Sequence, residues 1–200
     1  MGIALGSIQQ ITDYAEIVRK PLVAEHCALV VVDIQEKLLP PIFQKDQLVH
    51  NAQLLIRLAE LLKIPAIVTT QYSRGLGKIV PEIASLLPNE PIDKLAFSCF
   101  GSDAFCTSLR RVPGQRTTVL LCGMEAHICV AQTALAALRE GYIVHVASDA
   151  VSSRTEWNRN VGLERMRSAG AVISSTEMII YELLGSSGTP AFKDMLKYLK

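Results

Sequence analysis

The chain has 200 residues, half of them hydrophobic and 20% charged, and its formal net charge is +1. That length suits one domain, burying roughly 70% of the surface its unfolded chain exposes. A charge this close to zero, with no dense Lys/Arg run, gives no support to nucleic acid or an anionic membrane as partner. No apolar run approaches the roughly 20 residues that cross a bilayer. Mean hydropathy is positive, at +0.28, so part of the apolar surface is expected to be covered by another subunit in a homo-oligomer. The five cysteines, Cys27, Cys99, Cys106, Cys122 and Cys129, contain no CxxC pair. Such a set argues for reduced thiols in a cytoplasmic compartment, and against a disulfide scaffold or structural zinc.

Residues 1–25 are weakly patterned. MGIALGSIQQITDYAE lacks the basic start and long apolar core of a signal peptide. Ile11, Tyr14, Ala15 and Val18 suit a short amphipathic helix ended by Pro21, an N-terminal extension used in packing or oligomer contact. The domain itself spans 26–200. Its first strand lies in HCALVVVDIQEKLLP, residues 26–40, where an apolar run from Ala28 to Val32 stops at Asp33. A carboxylate at the end of a buried strand costs desolvation energy unless paired, and in open α/β sheets this is the edge that binds ligands. The plainer reading is an Asp that caps the following turn. Gln35 is placed to hold a backbone group or Asp33 itself.

Leu48, Ala52, Leu55, Ile56, Ala59 and Leu62 form one stripe of a core helix over 47–63, with Asp46 as its N-cap. Pro65 opens a second strand, 66–70. QYSRGLGKIVPEI follows as a flexible active-site or interface loop. Its glycines and Lys78 miss the GxxxxGK[ST] spacing of a phosphate cradle. The four histidines are scattered, without Asp-x-His or His-x-x-x-His spacing, so neither a metal nor another cofactor is expected.

Lys94 lies in DKLAFSCF, residues 93–100, at the entry to a strand or loop. A solvated lysine is the ordinary reading; beside a carboxylate and a thiol its charge becomes usable chemistry. A helix over 102–111 has Ser102 as its cap, and PGQR, residues 113–116, turns into the central strand. That strand opens VLLCGMEAHICVAQTALAALREG, residues 119–141: an apolar run to Cys122, a tight turn at Gly123, and a helix closed by Gly141. Cys129 falls near the first helical turn, where free N–H groups and the helix dipole favour a thiolate. A small core hydrophobe is the bland alternative. YIVHVAS makes a strand ending at Asp149. A helix through Trp157, Val161 and Met166 ends at Gly170, AVISS is the last strand, and two C-terminal helices have Thr176 and Thr189 as their cap residues. Strands alternating with helices predict an α/β domain with a mainly parallel sheet.

The strand ends of a parallel sheet share one edge, so Asp33, Lys94 and Cys129 can converge there. Asp33 would accept the thiol proton, Lys94 would hold Asp33 ionised and stabilise the thiolate, and Cys129 would attack an electrophilic carbon. Backbone N–H groups in the turn before Cys129 would bind the oxyanion.

VVVDIQEK (30–37), TTQYSRGLGKIVPEI (69–83), DKLAFSCF (93–100), LLCGMEAHICVAQTALAALREGYIVHVASDAVSSR (120–154) and STEMII (175–180) occur in this order. Together they make the chain resemble the isochorismatase-like cysteine hydrolase superfamily, nearest to its isochorismatase-domain-containing branch of unknown substrate. The resemblance implies a three-layer α/β/α, Rossmann-type fold with a parallel sheet of about six strands. It implies an Asp33–Lys94–Cys129 triad, a cis Met124–Glu125 peptide, and oxyanion donors at the N–H groups of Glu125 and Cys129. Nicotinamidases of the superfamily carry an Asp/His metal cluster after the second strand; Gln71, Tyr72 and Ser73 stand here instead, so no metal is implied. Retention of Cys129 tilts the expected chemistry towards a small-molecule amide or imide cleaved through a thioester. The alternatives are vinyl-ether hydrolysis led by Asp33 and Lys94, or a non-catalytic oligomeric scaffold on the same fold. Gln35, Tyr72, Phe97, Phe100 and Arg154 are pocket candidates, with a structural role weighed for Arg154. His127, two residues before the Cys, is expected to point into a turn or interface and not to act as its base.

Overall fold

The computed structural model describes Glu16 and residues 19–199; Ile11, Tyr14, Ala15 and Val18, on which the expected N-terminal helix rests, lie outside them. Six strands form one sheet in the order β3-β2-β1-β4-β5-β6, and every pairing is parallel. The strands are β1 (Cys27–Val32), β2 (Ala66–Gln71), β3 (Ile92–Lys94), β4 (Thr118–Met124), β5 (Ile143–Ser152) and β6 (Val172–Ser174). Helices α1 (Lys45–Leu61), α2 (Asp103–Arg111), α3 (Ala131–Arg139), α4 (Glu156–Ser168), α5 (Thr176–Leu184) and α6 (Pro190–Met195) cover the two faces. The three-layer α/β/α architecture expected from the sequence is the one observed.

All residues of β1 and β4 are buried, which is why both read as unbroken apolar runs. Leu29 and Val31 face a core shared with α1, α5 and α6. Ala28, Val30 and Val32 face the opposite core, with α2, α3 and α4. The chain leaves β1 to one side and β4 to the other, so the sheet order reverses between these two strands. A crevice at the carboxyl ends of the strands opens at such a point, and Asp33 and Cys129 follow β1 and β4 respectively.

Several boundaries differ from expectation. Gly123 is not a turn: β4 runs through it to Met124, in register with Val32. Its φ is +117°, and a Cβ there would collide with the Val32 backbone carbonyl. The glycine exists for close strand approach. β5 continues three residues past Asp149, bulging between the pairs Leu121–Val146 and Gly123–Val151. Asp149 instead accepts from the N–H and hydroxyl of Thr176, at 2.7 and 2.9 Å. The N-cap of α5 is therefore Ser175, whose hydroxyl accepts from Met178 N–H. Helix α1 starts at Lys45 after Gln44 in the left-handed region, which leaves Asp46 inside the first turn. Ser102 and Thr189 do cap α2 and α6. Gly141 follows α3 at φ +84°, with Gly141 and Tyr142 N–H groups closing on Leu138 and Ala137, a Schellman end. The stretch after β2 is not a free loop. It contains helical turns at Ser73–Leu76 and Pro81–Ala84 and a bridge between Gln35 and Ile79. Among the described residues no helix is long and apolar enough to cross a membrane.

Two expected outcomes follow from this packing. Gly123→Ala should cost about 3 kcal/mol or more and lower the melting temperature by roughly 6–12 °C, measured by calorimetry. His145 is buried in β5 against Ser174, and burial pushes its pKa down to about 4. The folded protein refuses a proton that the unfolded chain takes up. Stability is thus complete above the ordinary histidine range and is lost as pH falls towards 4, by about 3 kcal/mol in all. Urea midpoints at a series of pH values should show this loss for the parent protein and a shallower one for His145→Gln.

Candidate active site

β1 delivers Asp33 to the carboxyl edge of the sheet, at its very end. The residue has φ +52° and is fully buried, an unusual backbone state that Asp tolerates better than most residues. β3 delivers Lys94 from the edge of the sheet. Its ammonium meets Asp33 Oδ2 at 2.6 Å, with both side chains shut off from solvent. The other Asp33 oxygen, Oδ1, accepts from the Thr69 hydroxyl at 2.7 Å. Lys94 Nζ also donates to Gln71 Oε1 at 3.0 Å and to the Phe97 carbonyl at 3.3 Å.

β4 delivers Cys129 through a cis peptide between Met124 and Glu125 and a π-helical turn over Ala126–Val130. The Glu125 carbonyl accepts from Ile128 and Val130 N–H groups, which closes the turn around the cysteine. Cys129 is 7% exposed, whereas Cys122 is wholly buried. Burial first, and then the Asp33 charge, push the Cys129 thiol up to about 12, against the pull of the Lys94 charge. The helix-dipole argument from sequence anticipated a thiolate. Desolvation and the Asp33 charge instead favour the protonated thiol, against the dipole.

Asp33 and Lys94 therefore meet, and the charges of both act on the Cys129 thiol, although 96 positions separate Asp33 from Cys129. The other candidates divide. Gln35 is buried and braces backbone, not Asp33. Its Nε2 donates to the carbonyls of Gln71 (3.1 Å) and Gly77 (2.7 Å), and its Oε1 accepts from Gln71 N–H (2.7 Å). Tyr72 and Phe97 are half exposed, and the Phe97 main chain touches Lys94. Phe100 turns away to pack on Phe105 and Tyr142. Arg154 donates from its backbone and Nε to Glu125 Oε2 at 3.0 and 3.1 Å, tying the β5 exit to the turn before Cys129. His127 pairs through Nδ1 with Ser153 Oγ at 2.9 Å. Among the described residues no group of three or more His, Cys, Asp and Glu side chains is arranged to hold a metal ion.

Sequence reasoning passed over Thr69, Gln71 and Cys99. Thr69 and Gln71 sit two apart on a buried strand and so share a face; polar side chains there need partners. That was the available signal. Cys99 lies 3.8 Å from the Thr69 hydroxyl, and its N–H donates to Thr133 in α3, one helical turn beyond Cys129. Its thiol is also raised, chiefly by burial.

The Isochorismatase domain family matches residues 27–178. The chain belongs to the isochorismatase-domain family. Over 183 residues it is 42% identical to the "Secreted isochorismatase effector Isc1" of Phytophthora sojae, covering 90% of this chain and 87% of that one. It is 39% identical over 171 residues to "Isochorismatase domain-containing protein 2" of Danio rerio, at 86% and 85% coverage. The "MAR1 Ribonuclease" structure from Caenorhabditis elegans superposes with a TM-score of 0.83 at 37% identity, over 90% and 92% of the two chains. Two YcaC structures are 26% identical. The Pseudomonas aeruginosa protein holds hexane-2,5-diol and covalent acrylamide (TM-score 0.82, 90% and 91% coverage). The Escherichia coli protein is an octameric hydrolase of unknown specificity (TM-score 0.79, 90% and 87%). Membership of this isochorismatase family supports hydrolase activity in general terms.

The ion pair predicts its own energetics. Lys94→Met strands a buried carboxylate and should cost about 3–5 kcal/mol, whereas the Asp33→Asn/Lys94→Met double variant should recover most of the loss. Urea unfolding of the two variants checks this.

Proposed function

We propose that this chain is a cysteine hydrolase that cleaves a small-molecule amide or imide C–N bond through a covalent thioester, using Asp33, Lys94 and Cys129. One observation carries the reading: a thiol with residual solvent access faces a carboxylate whose partner is a buried ammonium 2.6 Å away. The raised thiol defines the first step. Cys129 is protonated at rest, so Asp33 takes its proton as the sulfur attacks the carbonyl carbon. The new oxyanion is received by the N–H groups of Glu125 and Cys129, on either side of the tight turn. Collapse breaks the C–N bond, and the amine leaves with the proton held by Asp33. Water then attacks the thioester with Asp33 as base, giving a carboxylic acid and returning the thiol. The sum is amide plus water to acid plus amine. Lys94 contributes charge throughout, first beside the carboxylate and then beside the anionic sulfur.

Tyr72 and Phe97 supply an aromatic rim for the substrate. The covalent acrylamide on the P. aeruginosa relative supports a nucleophile in this fold. The octameric E. coli relative, together with exposed Leu95, Phe97, Trp157 and Val161, supports a homo-oligomer. Five free cysteines support a reducing, cytoplasmic setting. The name of the C. elegans neighbour raises RNA cleavage as a competing reading; a formal net charge of +1 offers little attraction for a phosphate backbone.

Acrylamide is the first probe. Mass spectrometry at about pH 8 should place the adduct on Cys129 ahead of Cys122. Cys129→Ala should abolish the adduct and any turnover found in a panel of small amides. Equal labelling of Cys129 and Cys122, or hydrolysis of RNA or isochorismate that survives Cys129→Ala, would overturn the amide reading.

A further inference from the structure

We infer that β2, which contributes no member of the triad, is the clamp that holds it: Thr69 and Gln71 are positioning residues, one for Asp33 and one for Lys94. The inference deepens the hydrolase reading and rests on it.

The two residues lie on the same face of a buried strand. Thr69 has one hydroxyl proton, and it goes to Asp33 Oδ1. Lys94 goes to Oδ2. With a donor on each oxygen, the carboxylate cannot rotate without losing a bond. Behind Thr69 stands Cys99, 3.8 Å from its oxygen. Since the Thr69 proton is spent on the carboxylate, the Cys99 thiol is left as the donor in that contact. A one-way chain then runs Cys99 to Thr69 to Asp33, and it takes negative charge off Asp33 Oδ1.

Gln71 is held more firmly still. Its backbone N–H and carbonyl are both engaged by the buried Gln35 side chain. Its own Nε2 donates to the Leu95 carbonyl at 2.7 Å, which turns Oε1 towards Lys94. An ammonium has three protons. Here they go to Asp33, Gln71 and the Phe97 carbonyl. Lys94 thus has no proton to spare for a substrate and works by charge alone. This leaves Asp33 as the group that returns a proton to the departing amine.

The test reads acrylamide addition to Cys129 at about pH 8, in full-length protein of unchanged melting temperature. Thr69→Val keeps the shape and removes the donor; it should slow Cys129 by roughly 5- to 10-fold, since a bond to a charged group is lost. Thr69→Ser should restore the rate to within about twofold. Gln71→Met should slow Cys129 similarly. Half-buried Cys106 serves as internal reference and should not change. A cycle separates positioning from general loosening: Gln71→Met should have no further effect in a Lys94→Met background, nor Thr69→Val in Asp33→Asn. If either double background fails to fold, the Val/Ser pair still decides the Thr69 half. The clamp is overturned if Thr69→Val and Gln71→Met label at the parent rate, if Ser fails to rescue, or if effects simply multiply in the cycle. Absence of any Cys129 adduct in the parent protein would instead sink the hydrolase reading itself.

Discussion

The Asp33–Lys94 ion pair is the constraint from which the rest of the site follows. Two opposite charges at 2.6 Å with no solvent access are tolerated only when each finds its remaining partners. The protein supplies them from three strands: β1 ends in the acid, β3 ends in the amine, and β2 between them provides Thr69 and Gln71. The pair cannot drift, because moving either member would strand a charge in packed hydrocarbon. The same pair tunes the cysteine. The Asp33 charge favours the protonated thiol of Cys129 and the Lys94 charge opposes it.

The topology makes this placement possible. Asp33 and Cys129 follow adjacent strands on opposite sides of the reversal in sheet order. Gly123 lets β4 press against β1 where any side chain would meet the Val32 carbonyl. Gly162 does the same for α4, whose backbone lies against Ala126 and His127 in the cysteine turn. Arg159 of α4 reaches the Ser148 and Val151 carbonyls and so braces the β5 bulge. The cysteine turn is thereby pinned by a strand below it, a helix beside it, and the Arg154–Glu125 pair at its mouth. None of these groups is chemical in itself, but each limits where the sulfur can be.

Much of this was legible in the linear chain. The alternation of apolar runs with amphipathic stripes specified an α/β sheet, because burial on both faces of a strand and one face of a helix leaves different periods. Asp33 and Lys94 stood out for a related reason: each interrupts or ends an apolar run, where a polar group is costly without a purpose; Cys129 stood out for its place at the start of a helix after a buried strand. Ser102, Gly141 and Thr189 were readable as helix ends because capping is a local affair between residues three or four apart. Asp46, Asp149 and Thr176 were misread for the opposite reason. Their roles depend on partners or backbone angles that local spacing does not carry, such as the 27-residue separation between Asp149 and Thr176.

What the sequence determined by itself, then, was the set of elements and where Asp33, Lys94 and Cys129 stand on them, since hydrophobic period and local capping act over a few residues. Tertiary structure alone decided three things: that Gly123 belongs to a strand and not a turn, that burial and the Asp33 charge push the Cys129 thiol up, and that Thr69 and Gln71 attend the charged pair. Each depends on how closely distant segments approach and how much water they exclude, and burial and charge act on a side chain through space, whatever its position along the chain.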